Sequence, residues 1–338
     1  MTEKGRFIDP FIPKEPVLSG IQKNGGWTNS HSHPDRSYTI TPENFHLGNN
    51  MLQEKWVLNN DIKRDSTVED YYSRIARTVE SQIAQGVQAM GAFIDFDDLT
   101  KDKAFRAAER VRNEYKGAIK LVFINQVLQG VLDPGPHRWL LEAAQYVDII
   151  GGLPGKDEGR EKDHIDTIMQ VAKDEGKMLH VHVDQLNKFG ERETELLADR
   201  TIALGMQGRA VAIHGISIAA HPEAYRKELY KKMREAGLMV VCCPTAWIDS
   251  PRREDLAVTH NSITPVEELV REGIIVALGT DNIHDIYKPF SDGDMWTELR
   301  VLLEACRYYD IEELIKIGSV NGLKTLGLGT SEAKTEAA

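Results

Sequence analysis

Eight short apolar segments recur along this chain, and longer helix-patterned stretches separate most of them. The segments are GWTNSHSH (26–33), VQAMGAFIDF (87–96), IKLVFINQV (119–127), VDIIGGLP (147–154), KMLHVHVD (177–184), RAVAIHGI (209–216), LMVVCCPT (238–245) and IIVALGTD (274–281). They are apolar through their length instead of alternating, which suits parallel strands buried on both faces. Helical spacing of apolar residues marks 68–86, 103–115, 164–176, 193–205, 223–237 and 264–273, and most of these stretches end at a glycine. Strand and helix in alternation predict a TIM-type (β/α)8 barrel over residues 26–327. The proline-containing segment 1–25 is expected to be an extension that wraps the barrel base or a neighbour. The small, polar tail 328–338 is expected to be disordered.

Composition sets outer limits. At 338 residues and 41% hydrophobic content, the chain supplies one large barrel core. A net charge of −11 argues against nucleic acid or an anionic membrane as the main partner. Two of the three cysteines, Cys242 and Cys243, are adjacent and poorly placed for an ordinary disulfide, which suits a reducing compartment. No signal-peptide pattern and no membrane-length apolar run is visible, so the expectation is a cytoplasmic protein.

In a barrel of this kind the chemistry sits where the strands end. Residues two apart on a strand share a face, so His31 and His33 converge on one point. A single His-x-His pair is an ordinary coincidence. Here, however, His182, His214 and Asp281 stand at three further strand ends, and nitrogen ligands with a carboxylate suit a divalent metal with an open position for water. His180, two residues deeper than His182, reads as a hydrogen-bonded interior histidine. Asp95, Asp97 and Asp98 read as a solvated turn, Lys156 as a loop charge, and Cys242 and Cys243 as buried strand residues. Phe96, Trp247 and Tyr287 are the aromatic residues placed near the mouth, where flat rings suit a planar ligand.

Taken in order, this set resembles the amidohydrolase superfamily, in particular its cytosine deaminase-like branch, from about residue 26 to about 327. HSHPDRS resembles that branch's HxHxDK(T/S) motif, with Arg36 where lysine is usual. FINQ resembles a strand-three segment ending in a substrate-contacting glutamine, here Gln126. HVDQ resembles HCDE, AIHGIS resembles the strand-six histidine segment, and GTDNIHDIYKPFSDGDM resembles the strand-eight loop of the branch's triazine-ring members.

The resemblance implies that His31, His33, His182 and Asp281 hold one divalent metal, with zinc the default and iron(II) the rival. Strand four lacks the lysine that binuclear members place there. Asp281 would accept the proton of the attacking water, and His214 would stabilise or protonate the intermediate, with a fifth ligand or a supporting hydrogen bond as its plainer alternative. Gln126 and Gln185 would read an amide-like edge of the substrate. Asn282 would orient Asp281 or the substrate, or cap the next turn. Trp247 and Tyr287 would contact the ring.

Two departures shape the functional expectation. The branch's accessory β-sandwich is expected to be absent, and Gln185 stands where the branch carries a proton-shuttling acid. An amide cannot act as a general acid or base near neutral pH. The leading expectation is a hydrolase that removes an amino or alkylamino group from an N-heterocycle. Ring-opening of a cyclic amide, or displacement of another leaving group, is the first alternative, and a non-catalytic metal-containing barrel the second. Self-association into a homo-oligomer is expected only from the habit of the branch.

Overall fold

Each of the eight apolar segments forms a strand in the computed structural model, which describes residues 12–248 and 262–329. They are β1 (Trp27–Ser32), β2 (Val87–Asp95), β3 (Lys120–Gln126), β4 (Ile149–Gly152), β5 (Met178–Val183), β6 (Ala210–His214), β7 (Met239–Cys242) and β8 (Val276–Leu278). They pair in chain order, every pair parallel. A Ser32–Asp281 bridge joins the last strand to the first and closes the ring. The fold is a (β/α)8 barrel, and among the described residues every strand belongs to it.

Helices cover the barrel: α1 (Lys14–Lys23), α2 (Leu52–Leu58), α3 (Asn60–Asp65), α4 (Val68–Ala84), α5 (Lys103–Glu114), α6 (Pro134–Ala143) and α7 (Glu161–Asp174). The second half adds α8 (Glu193–Ala203), α9 (Glu223–Ala236), α10 (Val266–Arg271), α11 (Met295–Cys306), α12 (Ile311–Gly318) and α13 (Val320–Thr325). Local chemistry starts α4 where it does: Thr67 and Asp70 form a reciprocal capping box that satisfies two orphan backbone N–H groups. Most buried apolar residues lie between strands and helices in one continuous core. A smaller cluster inside the barrel, built around Phe93, Val122, Ile124 and Ile149, is stopped by Leu323 and Leu326 near α13.

Two glycines fix how closely the strands approach. A Cβ at Gly151 would sit 1.9 Å from the Asn125 carbonyl oxygen, and one at Gly279 would sit 2.7 Å from the His31 Cβ. Only glycine lets β8 lead back over β1 at the point where the site begins.

The described part of the N-terminal extension is a helix, α1, which buries Val17 and Ile21 and packs on α12. Its prolines, Pro13 and Pro16, flank or occupy the first turn, where a missing N–H costs nothing. The acidic run after β2 is not a solvated turn, because Asp95 and Asp97 are buried and both pair with buried Lys63, contributed by α3. Only Asp98 is exposed, with Trp139 and Arg138 as partners. Phe96 is not at the mouth but packs under the helices against Phe105 and Trp139. The disorder expected for 328–338 concerns residues that, from 330 onward, lie outside the described ones.

Candidate metal centre and active-site cavity

Strand ends deliver the histidines and the aspartate to one place. β1 supplies His31 and carries the chain into His33, β5 supplies His182, β6 ends at His214, and Asp281 follows β8. His214 and Asp281 both have left-handed backbone, with φ of 74° and 58°, an uncommon state for non-glycine residues that turns each side chain at the strand end toward the barrel axis. His31 Nε2 and His33 Nε2 lie 3.3 and 3.2 Å from the same Asp281 oxygen, Oδ1. The ligand-type atoms of His31, His182 and His214 fall within 4.8 Å of one another, as do those of His31, His33 and Asp281. Phe93 lies beneath, its ring 4.6 Å from that of His31 and 4.9 Å from that of His182.

The donor set fits a divalent metal on the chemistry of its own atoms. His182 Nδ1 lies 3.2 Å from the Gly152 carbonyl, which can only accept, so that nitrogen carries the proton and Nε2 keeps its lone pair. His182 Nε2 is buried without a hydrogen-bond partner, and so are both ring nitrogens of His31 and the Nδ1 of His33. Buried polar atoms are normally satisfied, and so many bare imidazole nitrogens around one carboxylate call for a cation.

Electrostatics point the same way. Burial holds the pKa of all four histidines below the ordinary value, well below for His33 and His182 and down to about 3 for His214, so each is a neutral base at neutral pH. Burial alone would push Asp281 up. Lys288, together with the His31 and His33 rings against the carboxylate, outweighs that and holds the carboxyl well below its usual range. Lys288 Nζ is 3.8 Å from Asp281 Oδ2 and donates to the Thr280 carbonyl and to Thr245 Oγ1, both at 2.7 Å.

Above the cluster opens a narrow cavity. Of the residues expected to meet substrate, Gln126, Gln185, Asn282 and Tyr287 line it, together with His33, His182, His214 and Asp281. Gln126 Oε1 is buried and unpartnered. Asn282 also donates to Asp285 Oδ2 at 2.5 Å, so it braces the loop that it faces from. Trp247 is not brought to the cavity; it is buried, and its indole N–H donates to Thr264 Oγ1. His180 hydrogen-bonds the Thr325 carbonyl at 2.7 Å, and Lys156 lies over the Trp56 ring, away from the cluster.

Sequence reasoning missed Lys288, Arg36 as a cavity residue, and the wall formed by Leu52 and Trp56. Leu52 and Trp56 stand one helical turn apart on α2, a spacing that was available as a signal; Lys288 carried none, being one lysine in a polar loop.

The sequence profile of the amidohydrolase family matches residues 45–337, opening just past His31 and His33. An uncharacterized protein of Haemophilus influenzae Rd is 49% identical over 265 residues, 77% of this chain and 95% of that one. The N-isopropylammelide isopropyl amidohydrolase of Pseudomonas sp. strain ADP is 24% identical over 303 residues, 85% of this chain and 70% of that one. Among solved structures, 5-methylcytosine deaminase from Klebsiella pneumoniae, liganded with 5-fluorocytosine, superposes with a TM-score of 0.83 at 25% identity, over 90% of this chain and 75% of that one. With the barrel and the strand-end cluster in place, the match over most of its length makes the chain a member of the amidohydrolase family. It is a hydrolase of carbon–nitrogen bonds from that family's deaminase-like branch, a family generally dependent on divalent metals. Among the described residues no helix is long and apolar enough to cross a membrane.

Proposed function

We propose that this protein deaminates or dealkylaminates an electron-poor N-heterocycle, with one divalent metal, zinc in the first instance, held by His31, His33, His182 and Asp281. The observation that carries the reading is the meeting of bare imidazole nitrogens and an ionised Asp281 under a small cavity edged by the amides of Gln126 and Gln185. A metal in that position supplies Lewis acidity that makes water a nucleophile near neutral pH. Asp281 stays ionised, with Lys288 beside it, and so takes a proton from the attacking water. His214, neutral and with Nδ1 unpartnered, donates an N–H toward the ring atom on which negative charge develops. Gln126 and Gln185 orient the ring by its amide-like edge. As the carbon–oxygen bond forms, the carbon–nitrogen bond breaks, and the proton held by Asp281 leaves with the departing amine.

One observation favours a second reading. Gln185 cannot carry a proton to an expelled amine, whereas in ring-opening of a cyclic amide the leaving nitrogen stays tethered to the product. Ammonia or alkylamine release from a panel of aminopyrimidines and aminotriazines tests the first reading; loss of ring absorbance without amine release would replace it with the second. The metal content of protein purified without added metal is expected near one equivalent, and two ordered ions per chain would overturn the mononuclear assignment. The reading includes a cytoplasmic, self-associating protein, in keeping with three unpaired cysteines.

A further inference from the structure

Arg36 is buried, 5% exposed, and lines the cavity beside His33 and Tyr287. Its Nε and Nη1 are buried with no hydrogen-bond acceptor among the described residues. Asp35, Asp95 and Asp285 act on it by charge without pairing directly: Asp35 accepts from the Asp95 N–H, Asp95 pairs with Lys63, and Asp285 accepts from Asn282 and from the Tyr287 and Lys288 N–H groups. The guanidinium carbon rests 4.9 Å from the Tyr287 ring centre, and that ring is fixed by its hydroxyl hydrogen bond to the Lys55 carbonyl. The backbone on either side is pinned as well. Thr39 Oγ1 donates to the Arg36 carbonyl, while Tyr38 and Ile40 donate to Ile283 and His284. A planar, permanently charged fork is thus held at the cavity wall with donors to spare.

We infer that Arg36 reads a negatively charged oxygen of the substrate, so that the heterocycle taken by this site is an anion, bearing either an ionised ring oxygen or a ring carboxylate. Guanidinium N–H groups pair with such oxygens through two parallel, charge-assisted hydrogen bonds, which a lysine ammonium cannot reproduce. The charge balance of the cavity agrees. Asp281 is the one carboxylate among its lining residues, and Lys288 stands behind that carboxylate. A neutral ring offers the buried fork only a carbonyl acceptor; an anionic one offers charge-assisted hydrogen bonds, which are roughly twice as strong.

The inference takes its location from the proposed function but is tested by binding, without turnover. Trp56 lines the cavity, so its fluorescence reports occupancy. Three probes share one ring: uracil is neutral, barbiturate carries an ionised ring oxygen, and orotate carries a carboxylate. The expected result is that the wild-type protein binds barbiturate or orotate at least tenfold more tightly than uracil, the favoured probe identifying which oxygen is read. Arg36→Gln is expected to erase that preference, and Arg36→Lys, which keeps the charge and loses the fork, to cut it at least threefold. Metal content and thermal unfolding of both variants are measured alongside. If Arg36→Gln does not fold, Arg36→Lys carries the test by itself.

Equal binding of all three probes by the wild type, or a preference that survives substitution, overturns the inference. Anion preference without amine release from any heterocycle overturns the proposed function and leaves this inference standing; turnover with charge-independent binding does the reverse.

Discussion

His182 and His214 face the same cluster and differ in what their second nitrogen does. His182 Nδ1 is tied to the Gly152 carbonyl, which leaves Nε2 to a cation, whereas His214 Nδ1 has no partner and is free to serve substrate. His182→Asn is therefore expected to lose metal outright. His214→Asn is expected to keep its metal and lose about 10²–10⁴ in rate. Metal analysis and turnover on the two variants, purified side by side, check this, and a metal-free His214→Asn would make His214 a ligand, a role its distance to His31 and His182 also permits. Gln185→Ala is expected to raise KM with little change in kcat, because an amide that only orients the ring binds ground state and transition state alike. A kcat collapse at constant KM would place it in the chemical step. These residues were legible because each is a chemistry-bearing side chain at the end of an apolar run. Arg36, Lys288 and Lys63 were not, because what matters about them is a partner or a cavity contributed from elsewhere in the chain. Trp247 was misplaced because proximity to a strand end says nothing about direction; it turns inward to Thr264.

At the scale of elements, every strand was readable within its expected segment, since burial on both faces leaves no polar alternation to confuse them, although β4, β7 and β8 keep four, four and three residues of segments eight residues long. The helices hidden by proline were not: α1 and α6 both begin in proline-containing sequence that reads as a breaker until the residue falls in the first turn. α1 leads into the N-terminal end of β1, away from the cavity, and Ile21→Ala is expected to cost about 2–5 kcal/mol in urea unfolding while leaving KM unchanged. α11 carries a different liability. Its Glu298 is buried, accepts from Thr245 N and Oγ1, and is pushed by burial up to about 7. A carboxyl raised in the folded state opposes folding progressively as pH climbs from its ordinary range near 4.5 to about 7, because the unfolded chain releases the proton first. Relative to wild type, Glu298→Gln is thus expected to gain thermal stability between pH 5 and 7.5. A difference that is flat across that range would mean that the side chain is not protonated in the fold.

For the whole molecule, the barrel's seam and the candidate metal centre are the same place. β8 is three residues long, and its closure onto β1 runs through the Ser32–Asp281 bridge, with Asp281 N donating to the His31 carbonyl and His33 N to that of Asp281. Stripping the metal is expected to raise amide hydrogen exchange first in β1 and β8, with β2 and β3 least affected; uniform exchange around the ring would separate the seam from the centre. Synthesis runs in one direction, and here that matters. A nascent chain displays His31 and His33 early, yet their carboxylate partner is made only after all eight strands, so the complete set of expected ligands must wait for the end of the barrel. A chain cut short before residue 281 keeps three of its four expected ligands and has no seam to hold them together.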